Sequence, residues 1–251
     1  MTAGPAALAL KDLHLRFDQT QVIRGISLAV QAGERVGIIG PNGAGKSSLL
    51  NLISGRYAPS AGQVLLHGKR IDGQSPHAIS RLGLSRSFQV TNLFPTLSVF
   101  ENLRCSVLGS LNYRYSMWRF LTGLSAVNAR SAEVMRLVQL EGRADVPAAN
   151  LSYAEQRALE IGLTVAGGAA VLLLDEPTAG MSRSETSHFT GLIRQVSVGK
   201  TLLMVEHDMG VMFDLADRIA VLVQGELLAF DTPDAVRANP RVQQAYLGGP
   251  C

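Results

Sequence analysis

The sequence predicts an α/β protein, with a mixed sheet core that carries a phosphate loop, an antiparallel β subdomain and an inserted α-helical subdomain. Three observations predict it. Gly40-Pro41-Asn42-Gly43-Ala44-Gly45-Lys46-Ser47 is a complete G-x-x-x-x-G-K-S loop, set between the apolar run Val36-Gly37-Ile38-Ile39 and the helix-like Ser47-Ser48-Leu49-Leu50-Asn51-Leu52-Ile53. Near-continuous apolar runs at residues 170–174, 201–205 and 218–223 suit parallel strands covered on both faces. Between them, strand signals are scarce over residues 89–166 and helical ones take their place.

Each element has its own signal. Leu13-His14-Leu15-Arg16-Phe17 and Ile26-Ser27-Leu28-Ala29-Val30 alternate apolar and polar residues about Asp18-Gln19-Thr20-Gln21, as antiparallel strands around a turn do. Gly62-Gln63-Val64-Leu65-Leu66-His67-Gly68 is a further short strand, so the first part of the chain reads as a mixed sheet around the loop. Ser98-x-x-Glu101 is a capping box that opens one helix, and Val134, Leu137, Val138 and Leu140 have helical spacing in another. Tyr113, Tyr115, Trp118 and Phe120 cluster within residues 112–126, which read as a packed helical hairpin or, second, as a partner surface. Residues 223–227 form a last hairpin, and Thr232-Pro233 caps a terminal helix. The expected division is a core over about residues 1–88 and 167–251 and a helical subdomain over about 89–166.

Composition narrows the class. With 251 residues and 47% hydrophobic content, the chain can bury a sizeable core. Cys105 and Cys251 have neither a metal spacing nor a disulfide framework, so a reducing cytoplasm fits best and Cys105 is expected to be a buried apolar residue. No stretch approaches the roughly 20 apolar residues of a membrane span, and residues 1–5 lack the basic start of a secretory signal. The net charge of +3 is mild, and no basic cluster marks a nucleic-acid partner. Arg81, Arg86, Arg104, Arg114 and Arg119 are scattered and read as a solvated surface.

The chemistry follows from two places. The loop glycines allow backbone N–H groups to turn onto a phosphate at a helix N-terminus, which points to a nucleoside triphosphate. Lys46 would neutralise its β- and γ-phosphates, and the Ser47 hydroxyl would complete a Mg²⁺ shell. Leu172-Leu173-Leu174-Asp175-Glu176 delivers two acids at a strand's C-terminal end, the edge where open α/β sheets bind ligands. There Asp175 can hold Mg²⁺ through water, and Glu176 can orient and deprotonate an attacking water.

On these residues the chain resembles the ATP-binding-cassette ATPases over nearly its whole length, as one domain spanning residues 1–251 with a P-loop NTPase (RecA-like) core. Leu151-Ser152-Tyr153-Ala154-Glu155-Gln156 stands where that family carries its Leu-Ser-Gly-Gly-Gln signature. The resemblance implies that Ser152 and Ala154 meet the γ-phosphate held by an opposite subunit. Ser152-x-x-Glu155 is equally an ordinary capping box, and both readings can hold together. Gln89 resembles the glutamine that touches Mg²⁺ and the attacking water. His207 resembles the switch histidine on the γ-phosphate, and Phe17 resembles the aromatic that stacks on adenine, with a core role still open for Phe17. The implied nucleotide site is Phe17, Gly40, Pro41, Asn42, Gly43, Ala44, Gly45, Lys46, Ser47, Ser48, Ser152 and Ala154. Ser47, Gln89 and Asp175 face the metal, and Glu176, His207, Gln89 and Lys46 carry the chemistry. Two positions depart from the pattern: Ala154 replaces a glycine, and Ser182 replaces the aspartate many relatives carry in the loop after the acidic pair.

Within that family, Tyr153, the long segment between Asn102 and Arg130, and the ending Asn239-Pro240-Arg241-Val242-Gln243-Gln244-Ala245-Tyr246-Leu247-Gly248 resemble the ATPase subunits of branched-chain amino acid importers. The resemblance implies a peripheral subunit on the cytoplasmic face of the membrane. Its partners would be two permease subunits, a second ATPase subunit and an extracytoplasmic substrate-binding protein, with ATP and Mg²⁺ as ligands. The same subfamily also serves urea, short amides and aromatic acids, and a weakly active regulatory cassette paired with a second ATPase is a further alternative.

Overall fold

The computed structural model describes residues 6–87, 93–110 and 124–247. The chain divides into two compact units, Met1–Arg86 with Ala170–Ala179 and Gly199–Cys251, and Ser87–Ala169 with Gly180–Val198.

The first unit holds two sheets. Strands β1 (Leu8–Phe17), β2 (Thr20–Val30), β4 (Ala61–Leu66) and β5 (Lys69–Arg70) form an antiparallel sheet in the order β2-β1-β4-β5. β1 buries Leu8, Leu10, Leu13 and Leu15. Strict alternation would put Leu10 and Leu13 on opposite faces, and a register shift between them, with Asp12 at φ 46°, returns both to the core.

The second sheet has six strands: β3 (Arg35–Ile39), β6 (Leu84–Arg86), β7 (Val171–Asp175), β8 (Thr201–Val205), β9 (Arg218–Val223) and β10 (Glu226–Asp231). They lie in the order β10-β9-β3-β8-β7-β6, and all neighbours are parallel except β9 and β10. Every residue of β7 and β8 is buried, so neither strand has a polar face and their apolar runs are unbroken. Helices α1 (Lys46–Ile53), α2 (Pro76–Arg81), α7 (Met209–Leu215), α8 (Pro233–Ala238) and α9 (Pro240–Leu247) complete the unit. The strands of the first part of the chain are thus shared between two sheets rather than gathered in one. β3 joins the second because residues 36–39 are buried throughout, whereas β1 has exposed positions. β6 carries too short a pattern to read, and its partner β7 is remote in sequence.

In the second unit, α3 (Val99–Ser110), α4 (Ser125–Leu137) and α5 (Tyr153–Ala166) pack on one another, and α6 (Arg183–Val196) follows residue 182. The helix over residues 183–196 therefore belongs with residues 89–166, beyond the bounds expected for the helical part. Ser98 and Glu101 make the expected reciprocal cap, with bonds of 2.9 and 3.2 Å. Cys105 is exposed on α3 rather than buried: the apolar face of that helix is Val99, Leu103 and Val107, and Cys105 falls between those turns. Tyr113, Tyr115, Trp118 and Phe120 lie outside the described residues. No helix among the described residues is long and apolar enough to cross a membrane.

Candidate functional site

β3, β7 and β8 are parallel, with β8 between the other two, so their C-terminal ends share one edge of the sheet. Each strand delivers a different group there. β3 runs into Gly40–Lys46, β7 ends in Asp175 with Glu176 directly after it, and β8 leads through Glu206 to His207. A cavity of about 310 Å³ at this edge is lined by Val22, residues 42–48, Glu176 and His207.

The loop must be glycine-rich for a steric reason. Gly45, the N-cap of α1, has φ 99°, and a Cβ there would stand 2.8 Å from Ile23 Cδ1 and 3.2 Å from Val22 O. A Cβ on Gly40 would collide with the carbonyl of Leu222 on β9. The first turn of α1 carries no acidic side chain, and its residues Lys46, Ser47 and Ser48 line the cavity, where helix N-terminal N–H groups favour an anion. Lys46 is 7% exposed and folded into its own loop, donating from Nζ to Gly40 O at 2.7 Å and Pro41 O at 3.1 Å. Burial lowers its pKa, and the charges of Glu176 and Asp175 oppose that shift.

Glu176 lies just past the strand with φ 48°, a left-handed conformation uncommon for a residue with a side chain. Its amide still donates to Val205 O at 2.9 Å, and its Oε1 lies 2.8 Å from His207 Nε2. The bend turns the carboxylate back across the sheet edge toward the histidine. Asp175 is 3% exposed; burial pushes its carboxyl pKa up, opposed by the hydrogen bond and charge of Arg86. N–H groups, one lysine, the Ser47 hydroxyl and two carboxylates on a single edge make a donor set that fits a nucleotide with Mg²⁺.

The structure brings together Asn42, Gly43, Ala44, Gly45, Lys46, Ser47, Ser48, Glu176 and His207 around one cavity, with Gly40, Pro41 and Asp175 immediately beside it in the chain. Phe17 is not a core residue: it is 45% exposed at the end of β1 and makes an edge contact with Tyr57, ring centroids 5.3 Å apart. Ser152 and Ala154 belong to the second unit, where Ser152 is the N-cap of α5 in a complete capping box with Glu155. Ser182 caps α6 in the same way with Glu185. Gln89 lies outside the described residues.

Two groups at this edge were not legible from the sequence. Arg86 is not on a solvated surface: its side chain is 7% exposed and paired with Asp175 at 2.9 Å. Burial lowers its pKa, and Asp175 opposes the shift. Glu206 is 4% exposed and binds Thr178 and the His207 amide. The only sequence signal for Glu206 is an acid set directly after a buried apolar run.

The family model described as "ABC transporter" matches residues 23–179, and the one described as "Branched-chain amino acid ATP-binding cassette transporter" matches residues 226–250. The chain is 36% identical over 248 residues to the high-affinity branched-chain amino acid transport ATP-binding protein BraF of Pseudomonas aeruginosa, covering 96% of this chain and 97% of BraF. It is 35% identical to LivG of Escherichia coli K12, of the same description and with the same coverage. The ADP conformation of MJ1267, an ATP-binding cassette of an ABC transporter, shares the fold with a TM-score of 0.85 at 22% identity, over 97% of this chain and 99% of that one. A P-loop, an acidic strand end and a histidine on adjacent parallel strands, together with relatives of this similarity over nearly full length, place the chain in the ATP-binding-cassette family of ABC transporters.

Proposed function

We propose that this chain is the ATP-hydrolysing subunit of an importer for branched-chain amino acids. The observation that carries the reading is the convergence of Lys46, Ser47, Glu176 and His207 on one cavity at the C-terminal edge of β3, β8 and β7. The α1 N-terminus and Lys46 hold the phosphates. Ser47, Asp175 and Gln89 face a Mg²⁺ ion, which when bound neutralises phosphate oxygens. Glu176 accepts the proton of the attacking water, and His207, 2.8 Å from it, orients that carboxylate and reaches the γ-phosphate. Phe17, exposed at the end of β1, stacks on the adenine.

Ser152 and Ala154 act on the nucleotide of a second ATPase subunit, so the functional unit is a pair of cassettes. That pair sits on the cytoplasmic face of the membrane against two permease subunits, which receive cargo from an extracytoplasmic binding protein. The relatives' descriptions and the match over residues 226–250 support this cargo class.

The test is reconstitution with the permeases and the second ATPase in liposomes, reading ATP turnover and uptake of labelled leucine. Turnover coupled to leucine uptake is expected. Turnover coupled instead to urea, an amide or an aromatic acid would reassign the cargo, and turnover left unchanged by Glu176→Gln in this chain would make it a silent cassette beside an active second ATPase.

A further inference from the structure

The guanidinium of Arg86 joins three elements of the first unit. In the parallel register of β6 and β7, Arg86 stands opposite Leu173, and Asp175, two residues on, shares the face of Leu173. Arg86 Nη2 donates to Asp175 Oδ2 at 2.9 Å, while Nη1 donates to Asn51 Oδ1 at 2.7 Å and Ser54 Oγ at 2.9 Å. Ser54 Oγ spends its own proton on Leu50 O at 2.8 Å, which leaves it an acceptor for the arginine. Asn51 and Ser54 lie at the C-terminal end of α1, the helix that Lys46 and Ser47 open.

We propose that Arg86 is a positioning residue, fixing the Asp175 carboxylate against helix α1 and so against the phosphate-loop groups at the other end of that helix. The inference rests on the reading of Asp175 as the metal-facing acid. A buried ion pair is a weak means of stabilising a fold, because desolvation offsets most of its attraction. It is a strong means of fixing geometry when a planar fork bonds two elements at once, as a lysine's point charge cannot. The two side chains are only 7% and 1% exposed, so water does not loosen the pair.

The test uses the purified full chain and a fluorescent ATP analogue, with binding measured across a Mg²⁺ titration and again in EDTA. Arg86→Gln is expected to raise the half-saturating Mg²⁺ concentration about 10-fold or more, the usual cost of losing an outer-shell partner, with affinity in EDTA unchanged. Arg86→Lys should fall between Gln and wild type. Equal weakening in EDTA and in Mg²⁺, or no shift in Mg²⁺ demand, overturns the proposal. Where Arg86→Gln does not fold, Ser54→Ala removes one tether and keeps the ion pair: a smaller shift in the same direction supports the proposal and an unchanged Mg²⁺ demand overturns it. Asp175→Asn separates the two readings. If it leaves Mg²⁺ demand unaltered, Asp175 is not the metal-facing acid; if it shifts that demand and Arg86→Gln does not, the positioning role alone fails.

Discussion

Glu206 holds Thr178 with one carboxylate oxygen: Oε1 accepts from the Thr178 amide at 2.7 Å and from its hydroxyl at 2.6 Å. The other oxygen, Oε2, accepts from the His207 amide at 3.1 Å. A single buried acid thus ties the turn after Glu176 to the turn that carries His207. In Glu206→Gln an NH₂ group replaces one acceptor and faces a backbone N–H donor. The loss of folding stability should be about 1–3 kcal/mol, as for an unsatisfied buried group. Thr178→Val should cost about 1 kcal/mol by removing one donor. Denaturant unfolding of the two variants checks both values, and a loss in Thr178→Val as large as in Glu206→Gln would contradict this division.

Lys46→Ala should weaken nucleotide binding, since it removes the cation from a loop whose remaining donors are neutral N–H groups. Glu176→Gln should retain binding and lose turnover by roughly 10²-fold or more, because the amide keeps the shape and cannot accept a proton. Single-turnover hydrolysis beside a binding measurement distinguishes the two. Wild-type hydrolysis in Glu176→Gln would remove that residue from the chemistry.

Ala154 sits in the first turn of α5, directly after Ser152 and Tyr153. Its methyl group should hinder approach of a phosphate to the backbone, so Ala154→Gly is expected to raise ATP turnover in a cassette pair whose other site has been disabled. The glycine should also cost about 0.5–1 kcal/mol of helix stability, which a thermal melt reads separately. Unchanged turnover would show the methyl group to be neutral.

The cap of the same helix predicts a pH dependence. The Arg143 hydrogen bond at 2.7 Å, followed by the Ser152 amide, holds the Glu155 carboxyl below its usual value of 4.5. A depressed folded-state pKa contributes stability that is fully present above pH 4.5 and lost as the pH falls below it through the folded value. Glu155→Gln keeps a capping box and removes the charge. It should be less stable than wild type by up to about 1 kcal/mol at neutral pH, since the pair is partly solvated, and the difference should close in acid. Urea melts at pH 7 and at a series of pH values falling below 4.5 check this, and a difference that stays constant throughout the acid series would assign the loss to packing.

Local chemistry made much of this protein legible in its sequence. The phosphate loop, the acidic strand end, the capping boxes at Ser98 and Ser152 and the Thr232-Pro233 helix start all depend on residues a few positions apart, and the structure forms each of these local features. The buried parallel strands were readable because burial on both faces removes polar alternation. Long-range geometry supplied the rest. Cys105 looked apolar by residue type, yet its position on α3 turns it outward. Arg86 looked like a solvated surface charge, and only the pairing of β6 with β7, which joins residues 84–86 to 171–173, sets it against Asp175. The union of Glu176 with His207, and of Glu206 with Thr178, likewise needed β7 and β8 to be neighbours. Sequence spacing specifies which groups a strand end or helix cap will present, whereas sheet order decides which of them meet, because hydrogen-bonded strand neighbours are chosen by the packing of the whole core.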